Sequence, residues 1–591
     1  MAAVFGSPRE AGNTVVDGPS HAHRCDQLLY DDPELRRPAQ PGPSSLLLAV
    51  TTKGLAVEKQ TGLDDNLLHS VNVSDSPVAL AQGITLAGIL RRSFRLYGHR
   101  LAVVDEHTRL TYRELDERSN RLANALIDTG LKRGDRIGVL SETRPEYVEI
   151  YAAAAKVGLT VIALNIRLHP DELAYCVETA RPLLLMTSGA HVPQIDAFRN
   201  RVSSVHTWIS LDTADGAFLD YEEFLLGGEE TDPYSEVAPN DIHNVLYTSG
   251  TTGRPKGAMI THRAAAIRGL RLAQWFGLDE RDGFVGWLPL FHCGGDESLY
   301  ATLLTGGVFA AVHKADVKLM YRLIEREKLT WTLLLPGVIT DFLHDSHRRD
   351  HDLSSFRFAI GYANMMPQVV KELTRELNIR FWDAYGQTET SYLLAHGEVL
   401  PGAEPSLHKS PAPLLDVMIV DNDMIEVPVG IPGECVVRGP SVMSGYLDDP
   451  AATAEAFRGG WLHTGDILVR NEDGTLTFAD RKKYLIKTGG ENVYPAEVEH
   501  VIAQHEAVQE VCVLGVPDEH WGEAVKAVVV LRPGQCVSGE EIVAWCRQRL
   551  ASYKRPRYVQ FLGPQDIPRS TTGKVLRHEL ARLPVSAEQK V

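Results

Sequence analysis

The sequence predicts an α/β protein with a large N-terminal domain, a β-rich subdomain and a small α+β C-terminal domain. The chain has 591 residues, which is too long for one ordinary core, so at least two domains are expected. Strand and helix signals alternate up to about residue 380, which favours an α/β architecture. Short strands with Gly and Pro turns between about residues 414 and 479 predict the β-rich subdomain.

The N-terminal elements follow in order. Residues 1–78 are rich in Pro, Gly, Ser, Asp and His without a sustained period, which predicts a mostly disordered extension. Regular structure is expected from near Thr85. Residues 111–114 form a capping box, and the leucines after it recur on one helical face. The apolar runs 136–140 and 160–164 are predicted to be buried strands.

Composition excludes several classes of protein. The hydrophobic fraction of 44% is ordinary for a globular protein, and no apolar run reaches the roughly 18–20 residues that span a bilayer. The net charge of −17 disfavours nonspecific binding to nucleic acid. Seven scattered cysteines without a CxxC pair favour a reduced, cytoplasmic protein, and the C-terminus is not a peroxisomal address.

The strongest local motif is residues 247–257, Tyr-Thr-Ser-Gly-Thr-Thr-Gly-Arg-Pro-Lys-Gly, which follows the apolar pair Val245 and Leu246. Three glycines allow the backbone to approach a ligand closely. Four hydroxyl side chains and Lys256 supply donors and positive charge, so the segment can cradle a polyphosphate. The spacing does not match a Walker motif.

The string TSGTTGRPKG resembles the signature of the adenylate-forming superfamily, which includes acyl-CoA synthetases, peptide-synthetase adenylation domains and luciferase. Further motifs of that family follow in the expected order over roughly residues 80–580. The resemblance implies a large AMP-binding domain over 79–482 and a mobile C-terminal domain over 483–591, with a hinge near Lys483.

The segment 383–389, Asp-Ala-Tyr-Gly-Gln-Thr-Glu, is similar to the next family motif. Tyr385 offers an aromatic face to adenine and Thr388 a hydroxyl to the α-phosphate. Thr248 and Glu389 are the implied ligands of Mg²⁺, a hard cation that prefers oxygen. Asp466, in the segment Trp-Leu-His-Thr-Gly-Asp, is implied to bind the ribose hydroxyls together with Arg481.

The acyl pocket is the least specific part of the resemblance. His292, at the end of Trp-Leu-Pro-Leu-Phe-His, is similar to the family histidine beside the acyl group. Tyr362 stands where the family usually has a small residue, which narrows or reshapes the pocket. The candidate pocket residues are His292, Gly294, Gly361, Tyr362 and Gln387.

Two C-terminal motifs complete the set. The stretch 487–497 contains two glycines that suit a narrow tunnel for the pantetheine arm of coenzyme A. Lys574, in a Thr-Gly-Lys setting, resembles the family lysine that stabilises charge between the carboxylate and the α-phosphate. The implied catalytic residues are Lys574, Thr248, Glu389 and His292. The implied nucleotide- and coenzyme-binding residues are Thr248, Ser249, Gly250, Thr251, Thr252, Gly253, Lys256, Gly361, Tyr362, Ala363, Asp383, Ala384, Tyr385, Gly386, Thr388, Asp466, Arg481, Lys487, Gly489, Gly490 and Lys574.

The resemblance implies a ligase that uses ATP and Mg²⁺ to form an acyl-AMP and then transfers the acyl group to coenzyme A. Three alternatives stay open: an acyl-AMP ligase that loads a carrier protein, a luciferase-like oxidase, and a catalytically silent nucleotide-binding regulator. The intact Lys574, Glu389 and Asp466 argue against the silent regulator. An aliphatic acid and an aryl or ring acid fit equally well, and a homodimer is common among relatives.

Overall fold

The structure is a computed structural model, and the extension predicted over 1–78 lies outside the residues that it describes. The described residues are 83–212, 216–249, 255–335, 337–362, 366–488, 491–518, 520–569, 575–584 and 589–591.

The described residues form 25 β-strands. In chain order they are β1 Leu101–Val104, β2 Arg109–Thr111, β3 Arg136–Leu140, β4 Thr160–Ala163, β5 Leu184–Thr187, β6 Thr207–Ser210, β7 Leu219–Asp220, β8 Ile242–Ser249, β9 Pro255–Thr261, β10 Gly283–Gly286, β11 Val308–Ala311, β12 Trp331–Leu334, β13 Phe358–Gly361, β14 Arg380–Gln387, β15 Ser391–Val399, β16 His408–Pro411, β17 Asp416–Val420, β18 Pro432–Arg438, β19 Leu462–Arg470, β20 Leu476–Arg481, β21 Ile486–Thr488, β22 Glu491–Val493, β23 Val508–Asp518, β24 Gly522–Leu531 and β25 Tyr558–Phe561.

The α-helices alternate with the strands in the first three quarters of the chain. They are α1 Leu86–Tyr97, α2 Tyr112–Asp128, α3 Pro145–Val157, α4 Pro170–Ala180, α5 Val192–Asp196, α6 Tyr221–Leu226, α7 His262–Phe276, α8 Cys293–Thr305, α9 Val317–Glu327, α10 Val338–His344, α11 Pro367–Leu377, α12 Pro450–Ala456, α13 Pro495–Ala503, α14 Gly539–Arg547 and α15 Arg577–Leu580.

The predicted N-terminal elements are confirmed. Thr85 caps α1, and Thr111 and Glu114 form the reciprocal capping box at the start of α2. Leu115, Leu122 and Leu126 are all buried on the inner face of that helix. The strand predicted over 136–140 is β3, and the first four residues of the run 160–164 form β4.

Two large sheets build the N-terminal domain. One has seven strands in the order β7-β6-β5-β3-β4-β8-β9, and its only antiparallel pair is β8 with β9 within the described strands. The other runs β17-β18-β19-β20-β16-β15-β14-β13-β12-β10-β11-β1-β2. Helices α1, α2, α3, α7 and α8 contribute, with strands of both sheets, to one continuous apolar core. This arrangement confirms the predicted α/β class.

The β-rich subdomain is the antiparallel end of the larger sheet, from β17 to β20 and β16. It has its own small apolar core, which includes Ile419, Cys435, Val437 and Leu468. Strand β15 connects this end to the parallel strands through β14. Antiparallel pairing in this sheet already begins where β14 meets β15, and the predicted change of pattern near residue 414 coincides with the start of β17.

The C-terminal domain holds a separate five-stranded sheet, β22-β21-β24-β23 with β25 beside β24. Helices α13 and α14 cover one face of it through an apolar core that includes Val498, Val525 and Ile542. The carboxylate of Asp480, at the end of β20, accepts a hydrogen bond from the backbone N–H of Ala496 in the first turn of α13. No helix within the described ranges has the length and apolarity needed to cross a bilayer.

Candidate active site

The phosphate motif forms a β-hairpin rather than a loop that begins at its first residue. Strand β8 extends three residues past the apolar pair 245–246, and Thr248 lies opposite Lys256 in the antiparallel register. The Thr248 hydroxyl is 3.4 Å from the carbonyl oxygen of Lys256. Gly250, Thr251, Thr252, Gly253 and the side chain of Ser249 lie outside the described residues.

Tyr446 connects this hairpin to Glu389. Its backbone bridges to Ala258 of β9, and its ring centroid is 5.2 Å from the Lys256 ammonium. The Tyr446 hydroxyl donates to Oε1 of Glu389 across 2.9 Å. We call Thr248, Lys256, Tyr446 and Glu389 the phosphate cluster. The sequence analysis missed Tyr446, which is 57 residues from Glu389 along the chain.

The phosphate cluster has the donor chemistry that Mg²⁺ requires. The Thr248 hydroxyl and the Glu389 carboxylate are oxygen donors, and this hard cation is bound by few carboxylates together with substrate phosphates. Burial and the Glu389 charge raise the pKa of Tyr446 above its ordinary value, so the phenol keeps its proton and donates to the carboxylate. The cation and the substrate phosphates would therefore meet an oriented carboxylate and the Lys256 charge.

A second group, the nucleotide cluster, consists of Tyr385, Asp466 and Arg481. The Tyr385 hydroxyl donates to Oδ2 of Asp466 across 2.9 Å. Asp466 and Arg481 are register partners in β19 and β20, with Arg481 Nε 3.3 Å from Asp466 Oδ1. Asp466 is buried, whereas a third of the Arg481 side chain is exposed. The arrangement holds a carboxylate beside an accessible guanidinium, which suits adjacent ribose hydroxyls.

One short stretch connects the two clusters, because Tyr385 and Glu389 are only four residues apart. Thr388 lies between them, and its hydroxyl is 3.6 Å from Cys293 Sγ. Gly386 sits where an added Cβ would collide with the carbonyl oxygen of Ser391. Close packing of the protein's own backbone therefore requires glycine there, whether or not a ligand also approaches.

Gly361 and Asp383 were both predicted to bind the nucleotide, and they are register partners in β13 and β14. A Cβ on Gly361 would collide with the Leu334 carbonyl oxygen. The Asp383 carboxylate is buried and lies 2.6 Å from Nζ of Lys409, which is buried as well. This ion pair joins β14 to β16, so Asp383 has a structural partner inside the protein. The neighbouring Ala384 is buried in the same strand.

His292 caps the start of α8, beyond the end of β10. Its Nε2 is buried without a hydrogen-bond partner among the described residues. Burial, with a smaller effect of Arg167, lowers the pKa of His292 to about 4, so the imidazole is neutral near pH 7. A neutral imidazole contributes shape and hydrogen bonding beside an acyl group rather than positive charge.

The other candidate pocket residues lie around this point. Gln387 and His292 are the sequence neighbours of Thr388 and Cys293, whose side chains are in contact. Gln387 Nε2 is also buried without a partner in the described part of the chain. Tyr362 follows β13 and keeps 40% of its surface exposed, as a side chain facing an open site would. An added Cβ on Gly294 would press against Leu288 at 2.6 Å.

Among the predicted C-terminal site residues, Lys487 lies within the described part of the chain. Lys487 is exposed on β21, where its backbone N–H donates to Glu523 across 2.7 Å. Four further predicted site residues lie outside the described residues: Ala363, Gly489, Gly490 and Lys574. The side chain of Lys483 lies outside them as well.

Arg268 of α7 is a further residue that the sequence analysis missed. It is fully buried, and its guanidinium donates to the carbonyl oxygens of Ser441 and Thr388 at 2.8 and 3.1 Å. It also pairs with Glu297 at 3.1 Å. One side chain therefore holds the Thr388 segment, the loop that leads to Tyr446, and helix α8. No local motif marks it, because its three partners are remote in sequence.

Comparison with known proteins agrees with this geometry. Residues 90–447 match the family described as "AMP-binding enzyme", and residues 497–574 match "AMP-binding enzyme C-terminal domain". A feruloyl-CoA synthase from Amycolatopsis sp. is 33% identical over 494 residues, which cover 83% of this chain and 97% of the relative. An indoleacetate–CoA ligase from Aromatoleum aromaticum is 33% identical over 80% of this chain and 93% of its own length.

A solved structure shares the fold over most of the chain. The anthranilate CoA ligase in complex with anthranoyl-AMP superposes with a TM-score of 0.76 at 25% identity, covering 84% of this chain and 96% of that one. The two family matches, the relatives and the paired phosphate and nucleotide clusters lead to one conclusion: this chain belongs to the AMP-binding enzyme family.

Proposed function

We propose that the protein is an ATP-dependent acid–thiol ligase, which activates a carboxylic acid as an acyl-AMP and transfers the acyl group to coenzyme A. The observation that carries the proposal is the stretch from Tyr385 to Glu389. It joins a cluster suited to ribose with a cluster suited to polyphosphate and Mg²⁺. Only the α-phosphate of a nucleotide lies between those two parts, and Thr388 lies between the corresponding residues.

In the first half-reaction the substrate carboxylate attacks the α-phosphorus of ATP and pyrophosphate leaves. Lys256 and the hydroxyls of the hairpin hold the leaving phosphates, and Asp466 with Arg481 holds the ribose. Glu389 and Thr248 are the proposed Mg²⁺ ligands, and the bound cation neutralises phosphate charge. Such a transfer depends mainly on positioning and electrostatic stabilisation, which fits the buried contacts that orient these groups.

In the second half-reaction the coenzyme A thiol attacks the acyl carbonyl and AMP leaves. We propose that the chain divides at a hinge near Lys483 into domains 79–482 and 483–591. Lys574 acts in the first half-reaction, and rotation of the C-terminal domain then brings the 487–491 face to the site. A separate sheet and core in that domain support movement as a rigid unit.

The named relatives favour coenzyme A as the acceptor over the alternatives. The two curated relatives reported above carry CoA-ligase names, and neither name refers to a carrier protein or an oxidase. The products that the protein forms would distinguish the alternatives by experiment. Release of pyrophosphate without a thioester would favour a carrier-loading ligase, light emission with luciferin a luciferase-like oxidase, and no pyrophosphate release a silent regulator.

For the acid we propose an aryl or ring-bearing carboxylate. The relatives are named for feruloyl and indoleacetate, and the solved neighbour for anthranilate. Tyr362 offers an exposed aromatic face where the family usually has a small residue, and an aromatic ring can stack on it.

The test is a pyrophosphate-release assay over a panel of aryl, ring and aliphatic acids, run with and without coenzyme A, with thioester detected by mass spectrometry. We expect release with at least one aryl or ring acid and thioester formation only when coenzyme A is present. Absence of release across the panel, with ATP binding intact, would contradict the enzymatic proposal. Stronger release with aliphatic acids would contradict the substrate class only.

We further propose a reducing, cytoplasmic location, supported by free cysteines that are mostly buried. The described cysteines are Cys176, Cys293, Cys435, Cys512, Cys536 and Cys546, and none of these six is in a disulfide. Self-association into a homodimer stays a prediction from the family resemblance. Light scattering of the purified chain would measure its mass directly.

A further inference from the structure

A buried contact joins strand β8 to helix α8. Nδ2 of Asn244 donates to Oδ2 of Asp296 across 2.8 Å, and both side chains are almost completely buried. The Asn244 oxygen, Oδ1, and the second Asp296 oxygen, Oδ1, have no hydrogen-bond partner of ordinary geometry among the described residues. The Tyr151 hydroxyl also lies near the Asn244 amide, but it donates its hydrogen to the carbonyl oxygen of Leu290. Buried polar atoms normally have a partner, so this pair of orphaned oxygens requires an explanation.

One proton resolves both orphaned atoms. If Oδ1 of Asp296 carries a hydrogen, it can donate to Oδ1 of Asn244 while Nδ2 donates back to Oδ2. The acid and the amide then form a closed ring of two hydrogen bonds. Turning the amide over does not remove the need for this proton, because the Asn244 oxygen would then face Oδ2 of Asp296 and still require a donor.

The surroundings favour the neutral acid. Burial and the adjacent Glu297 carboxylate raise the pKa of Asp296 well above its ordinary value, against smaller lowering effects of Asn244 and Arg268. Glu297 forms the ion pair with Arg268, 3.1 Å away, and it accepts a hydrogen bond from the Ser391 hydroxyl across 2.5 Å. The titratable and charged groups that face Asp296 are Tyr147 and Tyr151 from α3, Arg268 from α7, and Cys293, Glu297 and Tyr300 from α8.

We propose that Asp296 is a protonated, neutral carboxylic acid that forms a closed hydrogen-bonded ring with Asn244 and thereby positions the phosphate hairpin against the acyl pocket. Asn244 lies four residues before Thr248 in a regular part of β8, so both side chains are on one face of the strand. Asp296 lies one helical turn after His292, where α8 begins. The ring connects β8, which leads into the proposed phosphate site, to α8, which begins at the proposed acyl pocket.

The ring has a consequence for catalysis. Attack of a carboxylate on the α-phosphorus needs the two groups within a narrow range of distance and angle, and a misplacement of about 1 Å can cost roughly 100-fold in rate. The positioning role rests on the proposed function, but the protonation state does not.

The protonation state can be tested without turnover. The matched variant is D296N, because its amide reproduces the ring and cannot ionise. The pKa of Asp296 is about 4 in the unfolded chain and is raised in the folded protein if the acid is neutral there. Wild-type stability then falls as the pH rises from the unfolded-state pKa towards the folded-state pKa. We therefore expect the unfolding midpoint of D296N to rise relative to wild type as the pH increases from 5 to 8. An opposite slope would show an ionised, stabilised Asp296 and would overturn the proposal.

Infrared spectroscopy gives a second, independent readout. A protonated carboxylic acid has a carbonyl band well separated from carboxylate bands, and we expect such a band at pH 7 that shifts with ¹³C-labelled aspartate and is lost in D296N. Persistence of every acid band in D296N would contradict the assignment. Both measurements use the full chain and require neither substrate nor activity.

Kinetics then tests positioning. We expect D296N to keep adenylation within about threefold of wild type, and D296L, which cannot form the ring, to lose tenfold or more in kcat/KM. Equal loss in both variants would overturn the positioning role. If wild type forms no acyl-AMP with any acid while D296N still shows the expected pH slope and infrared loss, the proposed function fails and the protonated pair stands.

Discussion

The hydroxyl of Tyr446 donates to Oε1 of Glu389 across 2.9 Å, while the ring of the same tyrosine lies 5.2 Å from the Lys256 ammonium. One side chain therefore orients the proposed Mg²⁺ carboxylate and supports the charge proposed to hold the leaving phosphates. Glu389 and Lys256 each contact Tyr446, and no direct contact between these two residues is found within the described part of the chain. Tyr446 thus acts through its neighbours rather than on the reacting atoms.

Replacing Tyr446 with Phe should weaken the use of Mg²⁺. The ring under Lys256 stays, but the hydrogen bond to a charged carboxylate, worth about 1.5–3 kcal/mol, is lost. We expect adenylation kcat/KM to fall roughly 10- to 100-fold and the Mg²⁺ concentration for half-maximal rate to rise. The measurement is pyrophosphate release against Mg²⁺ concentration, with the largely exposed Tyr234→Phe as the matched control. An unchanged Mg²⁺ dependence would contradict this role.

The sequence predicted the local parts of this fold well, because those parts depend on local chemistry. The capping box of Thr111 and Glu114 satisfies backbone groups three residues apart, and leucine spacing alone identified the buried face of α2. The family resemblance likewise placed Tyr385, Thr388 and Glu389 on one stretch. The resemblance also proposed Asp466 and Arg481 as ribose-binding residues, although they are far from the stretch 385–389 in the chain.

The residues that the sequence could not identify act across long separations. Tyr446 is 57 residues from Glu389, and Arg268 is 173 residues from Ser441. Their partners follow from the pairing of strands and helices, which no local pattern encodes. For Asp383 the motif alone suggested a ligand contact, whereas only the three-dimensional register places Lys409 2.6 Å away. Buried polar networks of this kind become visible once the tertiary contacts are known.

The Asp383–Lys409 ion pair leads to a prediction about stability. Lys409→Met leaves a buried carboxylate without its cation, and breaking a buried pair in this way costs about 3–5 kcal/mol. The double variant Asp383→Asn with Lys409→Met removes the orphaned charge and should recover most of that loss. Denaturant unfolding followed by tryptophan fluorescence measures both. Equal instability of the single and double variants would mean that Asp383 depends on contacts other than this pair.

Asp466→Asn should selectively weaken ATP binding. The amide keeps one acceptor for the Tyr385 hydroxyl but loses the charge that faces Arg481 and the second acceptor for the ribose. Loss of hydrogen bonds to a charged group predicts a rise in the KM for ATP of roughly 10- to 100-fold, with little change in the KM for the acid. The exposed Asp416, paired with Arg438, gives the matched control Asp416→Asn. A parallel rise in both KM values would argue against a nucleotide-specific role.

Asp480 predicts a pH dependence of the domain movement. Burial raises the pKa of Asp480 to about 6, against the lowering effect of Arg577, while the ordinary value of an exposed aspartate is about 3.9. The buried arrangement around Asp480 therefore binds the proton more tightly than an open arrangement would, although the hydrogen bond from Ala496 by itself lowers the pKa. Acid therefore favours this buried arrangement between about pH 4 and 6, and the preference disappears as the pH rises through 6.

If the contact separates when the C-terminal domain rotates, transfer to coenzyme A should slow below pH 6 while adenylation does not. The expected drop is about tenfold at pH 5, one pH unit below the midpoint. Asp480→Asn cannot ionise and should give a transfer rate without this pH step. Single-turnover transfer from preformed acyl-AMP between pH 5 and 7.5 measures the effect. A step that survives in Asp480→Asn would assign it to another group.

Lys574 separates the two half-reactions most sharply. Its ammonium is proposed to stabilise charge between the carboxylate and the α-phosphate, and this charge exists only while the acyl-AMP bond forms. Lys574→Ala should therefore reduce adenylation by at least about 100-fold, yet spare thioester formation from supplied acyl-AMP. Lys328→Ala, at an exposed ion pair with Asp352, controls for loss of a lysine charge. Equal loss of both half-reactions in Lys574→Ala would mean that the residue serves a step common to both, and that the proposed exchange of faces about Lys483 is wrong.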